Sequence, residues 1–384
     1  MQNGLHFGGI YLVVHASNGR YDAAMASILQ TFQLGTQWPT LDPFLFCAHH
    51  LDDYPNGTVE LEPDASLNSR NIGQDFDGID GWNMYHGKNV PGFPQHPHRG
   101  FETITYVRTG VCDHSDSMGA TARFGSGDTQ WMTAGKGIVH CEMFPMLNRD
   151  EKNPLELFQI WLNLPAVDKM VDPYFTMLWS HDTPTVVEAG PDGQLVDVTV
   201  IAGSLASQDR ADGADRVTAQ APPPNSWAAR AEADVAIWHL RFDPGASWTM
   251  PAATGADTNR VLYAFTGSSV TINGETIEAG TGAVVDASTA LELIAGDGDA
   301  SGIEIMVLQG RPIGEPVARY GPFVMNTDAE IRQAFADYQR TEFGGWPWPS
   351  NDPTHGSEEG RFAQHADGQL ERFDLDAPAP ARTS

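Results

Sequence analysis

The sequence predicts an all-β protein of two barrels with one short helix near the C-terminus. Short runs rich in β-branched and aromatic residues recur between turns, and the 39 Gly and 26 Pro are spread along the chain rather than massed. The pattern appears once up to about residue 185 and again up to about residue 325. Long helices are disfavoured because Gly recurs too often. A chain of 384 residues with 41% hydrophobic content is long enough for two ordinary cores. The expected division is 1–185 for the first barrel, 186–325 for the second, and 326–384 for the helix and tail.

In order, residues 10–15 and 44–48 read as strands and 23–32 as a short helix. Residues 61–90 are polar and rich in Asp, Asn and Gly, which marks a long loop leading straight into His96. Such a loop is a candidate lid or pocket wall. Strands are expected at 103–107, 123–124, 129–132 and over the partly alternating apolar run 155–164. In the second half, 196–201, 235–242, 260–265, 269–272, 283–285, 291–294 and 303–308 read as strands. Residues 205–230, with Ala221-Pro222-Pro223-Pro224, read as a linker or loop. Thr327-Asp328-Ala329-Glu330 fits a capping box, and Ile331, Phe335 and Tyr338 follow at helical spacing. The tail past Gly344 is expected to lie on the surface.

Charge excludes several partners. The net charge is −28, and the only lysines are Lys88, Lys136, Lys152 and Lys169. Such a surface repels nucleic-acid phosphates and anionic lipid. No window reaches the 18 or so apolar residues of a membrane helix. The apolar run 8–14 has no basic residue before it and no clear cleavage site, so it reads as a strand, and the expected location is cytoplasmic. Cys47, Cys112 and Cys141 are odd in number and scattered, which argues against a disulfide framework.

The chemistry concentrates between His96 and Glu142. His96/His98 and His140/Glu142 are two i, i+2 pairs, and on a strand residues two apart share a face. If the two strands are neighbours, three imidazoles and a carboxylate converge. Two His and a carboxylate that leave positions open are typical of non-haem Fe(II) oxygenases, whereas structural zinc sites are closed and richer in thiolate. Glu102 shares parity with His96 and His98, so parity alone does not choose between Glu102 and Glu142. Strand alternation turns Cys141 away from the metal-binding side. His6, His15, His49, His50, His181, His239, His355 and His365 read as core or surface residues, while His86 and His114 stay undecided. Asp116, Ser117 and Thr133 read as turn and backbone supports, and Phe101 and Trp131 as core. No second ligand set exists in the later half, which offers Met250-Pro251-Ala252-Ala253 where a first pair would stand.

His96-Pro97-His98-Arg99-Gly100-Phe101-Glu102-Thr103, His114-x-Asp116-Ser117-x-Gly119 and Gln130 to Glu142 resemble the signature of the pirins. So do Gly314-Glu315-Pro316-Val317 and Tyr320-Gly321-Pro322-Phe323-Val324-Met325-Asn326-Thr327. The resemblance implies a bicupin, that is, two cupin-type β-barrels with a single iron in the N-terminal one. It implies His96, His98, His140 and Glu142 as metal ligands and leaves Glu102 as a supporting residue. The stretch 61–90, the loop 205–230 and the tail past Trp348 depart from simpler members.

Two functions follow from the resemblance. One is an Fe(II)-dependent dioxygenase, or one using another divalent metal, acting with dioxygen on a flavonol such as quercetin or a similar enolic aromatic, with Glu142 as the proton acceptor. The other is a non-enzymatic, iron- or redox-sensing module that binds a protein partner, as the nuclear co-regulators of transcription in animals do. The enzyme is favoured, because no basic nuclear-targeting run is present.

Overall fold

The computed structural model describes residues 27–190, 193–206, 216–298 and 300–375. They fall into two compact units, each drawn from separate stretches of chain. Of the described residues, one unit takes 48–180 and 315–375, and the other takes 27–47 and 181–314. Each is a pair of antiparallel sheets around a core, the cupin arrangement.

In the unit built around 181–314, one sheet runs Ile28–Gln33, Thr281–Val285, Asn259–Gly267, Ile303–Gly310, Ala236–Phe242, Leu195–Ala202, Thr185–Ala189. The other runs Ser247–Met250, Leu291–Ala295, Ser269–Ile272, Glu275–Glu278. Alternation builds the core: Val196, Val198 and Val200 share a face, as do Ile303, Ile305 and Val307. They meet Trp248, Met250, Leu291 and Leu293 from the smaller sheet.

The helix expected over 23–32 is not formed in its described part. Ile28–Gln33 is a strand, paired antiparallel with Thr281–Val285. So short an apolar run fits both periods, and the edge of a neighbouring strand supplies the hydrogen bonds that decide. The strand expected at 10–15 lies outside the described residues.

In the other unit one sheet runs Tyr174–Leu178, Asp128–Thr133, Phe101–Thr109, Asn153–Asn163 and then Phe44–Tyr54, whose residues from Ala48 on belong here. The second runs Leu370–Phe373, Arg361–Gln364, Thr121–Gly125, Val111–Asp116, Ile138–Met143, Gly92–His98. The tail is therefore more than a surface segment, since its strand Arg361–Gln364 pairs with Thr121–Gly125. Its polar composition hid this, because the attachment is polar. Buried Arg361 donates to Asp128 at 2.6 Å, and buried Arg123, paired with Asp113 at 2.7 Å, also holds the carbonyls of His355 and Gly356.

Residues 61–90 are irregular, with a single 3-10 turn at Ile79–Gly81. They are nonetheless anchored. Arg70 donates to Asp75 at 2.9 Å and to the Trp82 carbonyl at 2.8 Å, and its guanidinium lies 3.3 Å from the Trp82 ring centroid. Trp82, Met84 and Tyr85 are buried in the apolar core of the barrel.

The helix Asp328–Thr341 begins at the expected capping box, with Thr327 and Glu330 satisfying each other's backbone N–H groups. Its apolar stripe packs on Phe323 and Met325. Among the described residues no helix is long and apolar enough to cross a membrane.

Candidate metal centre

Gly92–His98 and Ile138–Met143 are antiparallel neighbours, with His96 opposite His140 and Phe93 opposite Glu142. The register places both histidines of the first strand on the face that carries His140. Ring centroids lie 4.4 Å apart for His96 and His140, 4.8 Å for His96 and His98, and 4.9 Å for His98 and His140. One ring nitrogen from each of the three lies within 4.8 Å of the others.

The carbonyls around these rings select their tautomers. His96 Nδ1 is 2.9 Å from the Pro94 carbonyl and His98 Nδ1 is 3.3 Å from the Pro322 carbonyl. A carbonyl only accepts, so both Nδ1 atoms carry the hydrogen and both Nε2 atoms keep a lone pair. Burial pushes the pKa of His96 down to about 4, and burial together with the neighbouring imidazoles holds His98 and His140 well below the ordinary histidine value. His140 is fully buried, and neither of its nitrogens has a hydrogen-bond partner among the described residues. An orphaned buried base beside two others with free lone pairs suits a divalent metal.

The turn after His98 is specified closely. Gly100 has φ +86°, and a Cβ there would sit 2.0 Å from the Val324 carbonyl oxygen. Buried Lys169 donates to the Gly100 carbonyl at 2.8 Å and to Asn163 at 2.7 Å. Arg99 donates to the Lys136 carbonyl at 2.6 Å and pairs with Asp337 at 2.9 Å.

Glu142 is placed differently from the three histidines. Its carboxyl is not part of their group; Oε1 lies 2.7 Å from Thr105 Oγ1, and Oε2 accepts from Gln159 Nε2 at 2.7 Å. Thr105 Oγ1 is also 2.7 Å from Gln159 Oε1, and one hydroxyl hydrogen serves only one of these acceptors. Burial raises the Glu142 pKa against the pull of Thr105, His114 and Gln159.

Glu102 faces the other way. It is fully buried and accepts from Thr133 at 2.6 Å. Thr105, three residues on, faces Glu142, so Glu102 occupies the opposite face of Phe101–Thr109. Its parity with His96 and His98 does not survive the Arg99-Gly100 turn.

His114, undecided from sequence, is buried with Nε2 3.3 Å from Asp116, its ring stacked on Phe175 and 5.5 Å from that of His140. His86 donates Nδ1–H to the Gly73 carbonyl at 2.7 Å. Asp116 accepts from the backbone of Met118 and Ala120, Ser117 from that of Val139, and Phe101 and Trp131 are buried. Cys141 packs with Val90, Met143 and Trp346. Sequence reasoning missed Thr105, Gln159, Lys169 and the Pro322 carbonyl. An amide, Gln159, in the apolar run 155–164 and a buried cation in a lysine-poor chain were the available signals for two of them.

The chain matches the Pirin family model over residues 30–162 and the Pirin C-terminal cupin domain model over 237–344. It is 33% identical over 293 residues to a pirin-like protein of Solanum lycopersicum, covering 73% of this chain and 88% of that one. Human pirin is 32% identical over 269 residues, covering 68% of this chain and 80% of its own. A crystal structure of quercetin 2,3-dioxygenase from Acinetobacter baumannii superposes with a TM-score of 0.61 at 25% identity, covering 84% of this chain and 99% of that one. Two consecutive family matches, one to each half, and relatives spanning more than two thirds of the sequence make this chain a member of the pirin family.

Proposed function

We propose that this chain is a metal-dependent dioxygenase, with Fe(II) as the metal, acting on a flavonol such as quercetin or a similar enolic aromatic. The observation that carries the proposal is the group of His96, His98 and His140, with fully buried His140 unpartnered among the described residues. These three would hold the ion, with Glu142 as the fourth protein ligand. A divalent iron held there would supply the redox partner for dioxygen and a Lewis acid for the enolic oxygen.

The protein's own groups do the rest. The carbonyls of Pro94 and Pro322 keep the His96 and His98 rings oriented with Nε2 unprotonated. Glu142 accepts the proton of the substrate's enolic hydroxyl, a role suited to a buried carboxyl whose pKa lies above the ordinary range. Thr105 and Gln159 fix that carboxyl in place. The apolar wall of Phe101 and Trp161 beside His98 keeps the site dry.

Protein purified without oxygen and loaded with ferrous iron should retain metal after dialysis and consume oxygen with quercetin. His98→Ala should lose both. Wild-type turnover no faster than that of free iron would refute the proposal.

A further inference from the structure

The barrel that carries the three histidines on one sheet also holds a second polar cluster on the other, completed by the stretch 61–90. On Phe44–Tyr54 successive side chains alternate. His49 turns outward, its ring 4.5 Å from that of Phe158 and its Nε2 2.9 Å from Glu156. His50, Asp52 and Tyr54 therefore turn inward, and Tyr54 joins the barrel core.

Tyr85 Oη donates to Asp52 Oδ2 at 2.6 Å, and Asn83 gives its backbone N–H and its amide to the other carboxylate oxygen, each at 2.9 Å. The single phenolic hydrogen is thereby used. His50 Nδ1, 2.9 Å from the same Tyr85 oxygen, must then be the donor, which leaves Nε2 as a lone-pair acceptor. No described residue bonds Nε2, and His50 is only half-buried. Burial, with His49 adding to it, pushes the His50 pKa down to about 4, so the ring is neutral at ordinary pH.

The backbone supplies an independent sign. Tyr85 has φ +55°, a left-handed conformation that bulky side chains rarely adopt. Reciprocal hydrogen bonds with Asp75, both 2.9 Å, hold it there. Strain of this kind persists where the surroundings impose it, and here it sets the phenol between Asp52 and His50. Phe93 shares the inner face through its pairing with Glu142, and its ring lies 5.9 Å from His50 and 6.4 Å from His96.

We propose that His50 is a distal acceptor subsite, whose Nε2 takes a hydrogen bond from a ring hydroxyl of an aromatic ligand lying along Phe93. The enolic end of that ligand points to the three histidines, and Tyr85 and Asp52 act as positioning residues that hold the tautomer. This rests on the proposed dioxygenase function and adds to it a preference for a hydroxyl remote from the enolic one. His50, which read as a core or surface residue from sequence, becomes a specificity determinant.

Anaerobic titrations of the metal-loaded protein with quercetin and with 3-hydroxyflavone, which keeps the enolic group but lacks the remote hydroxyls, test the subsite. Wild type should bind quercetin about tenfold more tightly than 3-hydroxyflavone. His50→Phe should erase that preference while leaving 3-hydroxyflavone affinity and metal content unchanged. His50→Gln, which retains an acceptor, should keep part of it and covers the case of a Phe variant that does not fold. An unchanged preference in either folded variant overturns the subsite alone. Failure of wild type to bind either flavonol overturns the dioxygenase proposal, and the subsite with it.

Discussion

Ile138–Met143 lies between Gly92–His98 and Val111–Asp116, and in the other barrel Leu291–Ala295 lies likewise between Ser247–Met250 and Ser269–Ile272. In the first barrel, His96 and His98 on one strand stand with His140 and Glu142 on its neighbour. The matching strands of the second carry Trp248 and Met250 against Leu293 and Leu291, all buried in the apolar core. The larger sheets differ in the same sense. Phe101–Thr109 turns Thr105 toward Glu142, while Asn259–Gly267 buries Leu262 and Ala264. One architecture therefore serves two ends. An interior filled with apolar side chains stabilises the fold through burial, whereas an interior that carries polar groups gives up part of that gain for a candidate site.

The largest test of this contrast is His140→Ala, which should reduce metal retained after dialysis to background and abolish oxygen uptake, with the fold retained by circular dichroism. Leu293→Ala in the other barrel should cost about 2–5 kcal/mol in urea melts and leave metal content per folded chain unchanged. Loss of metal in that variant would break the division of labour between the barrels. Gly100→Ala should cost about 1–3 kcal/mol, because the turn must move off the Val324 carbonyl, and should weaken metal binding about 10–100-fold in chelator competition.

Gln159→Leu leaves a Glu142 oxygen buried without its donor and should cost about 1–3 kcal/mol. The smallest effect concerns Asp337, whose carboxyl is held down to about 2 by hydrogen bonds from Arg99, Arg340 and Gln333. A depressed folded pKa contributes stability above the ordinary aspartate range, and that contribution is lost as pH falls toward 2. Wild type should exceed Asp337→Asn by about 1 kcal/mol at pH 7 after allowance for solvent screening, with the gap closing between pH 4 and pH 2.

Much of the site was legible in the sequence because strand alternation is local. His96 with His98, and His140 with Glu142, announce themselves as same-face pairs, and the second half visibly lacks them. The capping box at Thr327 and Glu330 was legible for the same reason. Where two periods compete over a few residues, as at Ile28–Gln33, the sequence misled. It misled again in the tail, where buried arginines attach an otherwise polar strand, while at Glu102 parity left the choice open because a turn resets it.

The sequence by itself determined the all-β class, the family signature and the candidate ligand types, since these depend on neighbours a few residues apart. The tertiary structure alone decided which carbonyl orients His98, which pair of side chains holds the Glu142 carboxyl, and how His50 acquires a tautomer. The His98–Pro322 contact spans 224 positions and the Glu142–Thr105 contact 37. Hydrogen bonds act over about 3 Å, and only the closed barrel brings such distant residues within that range.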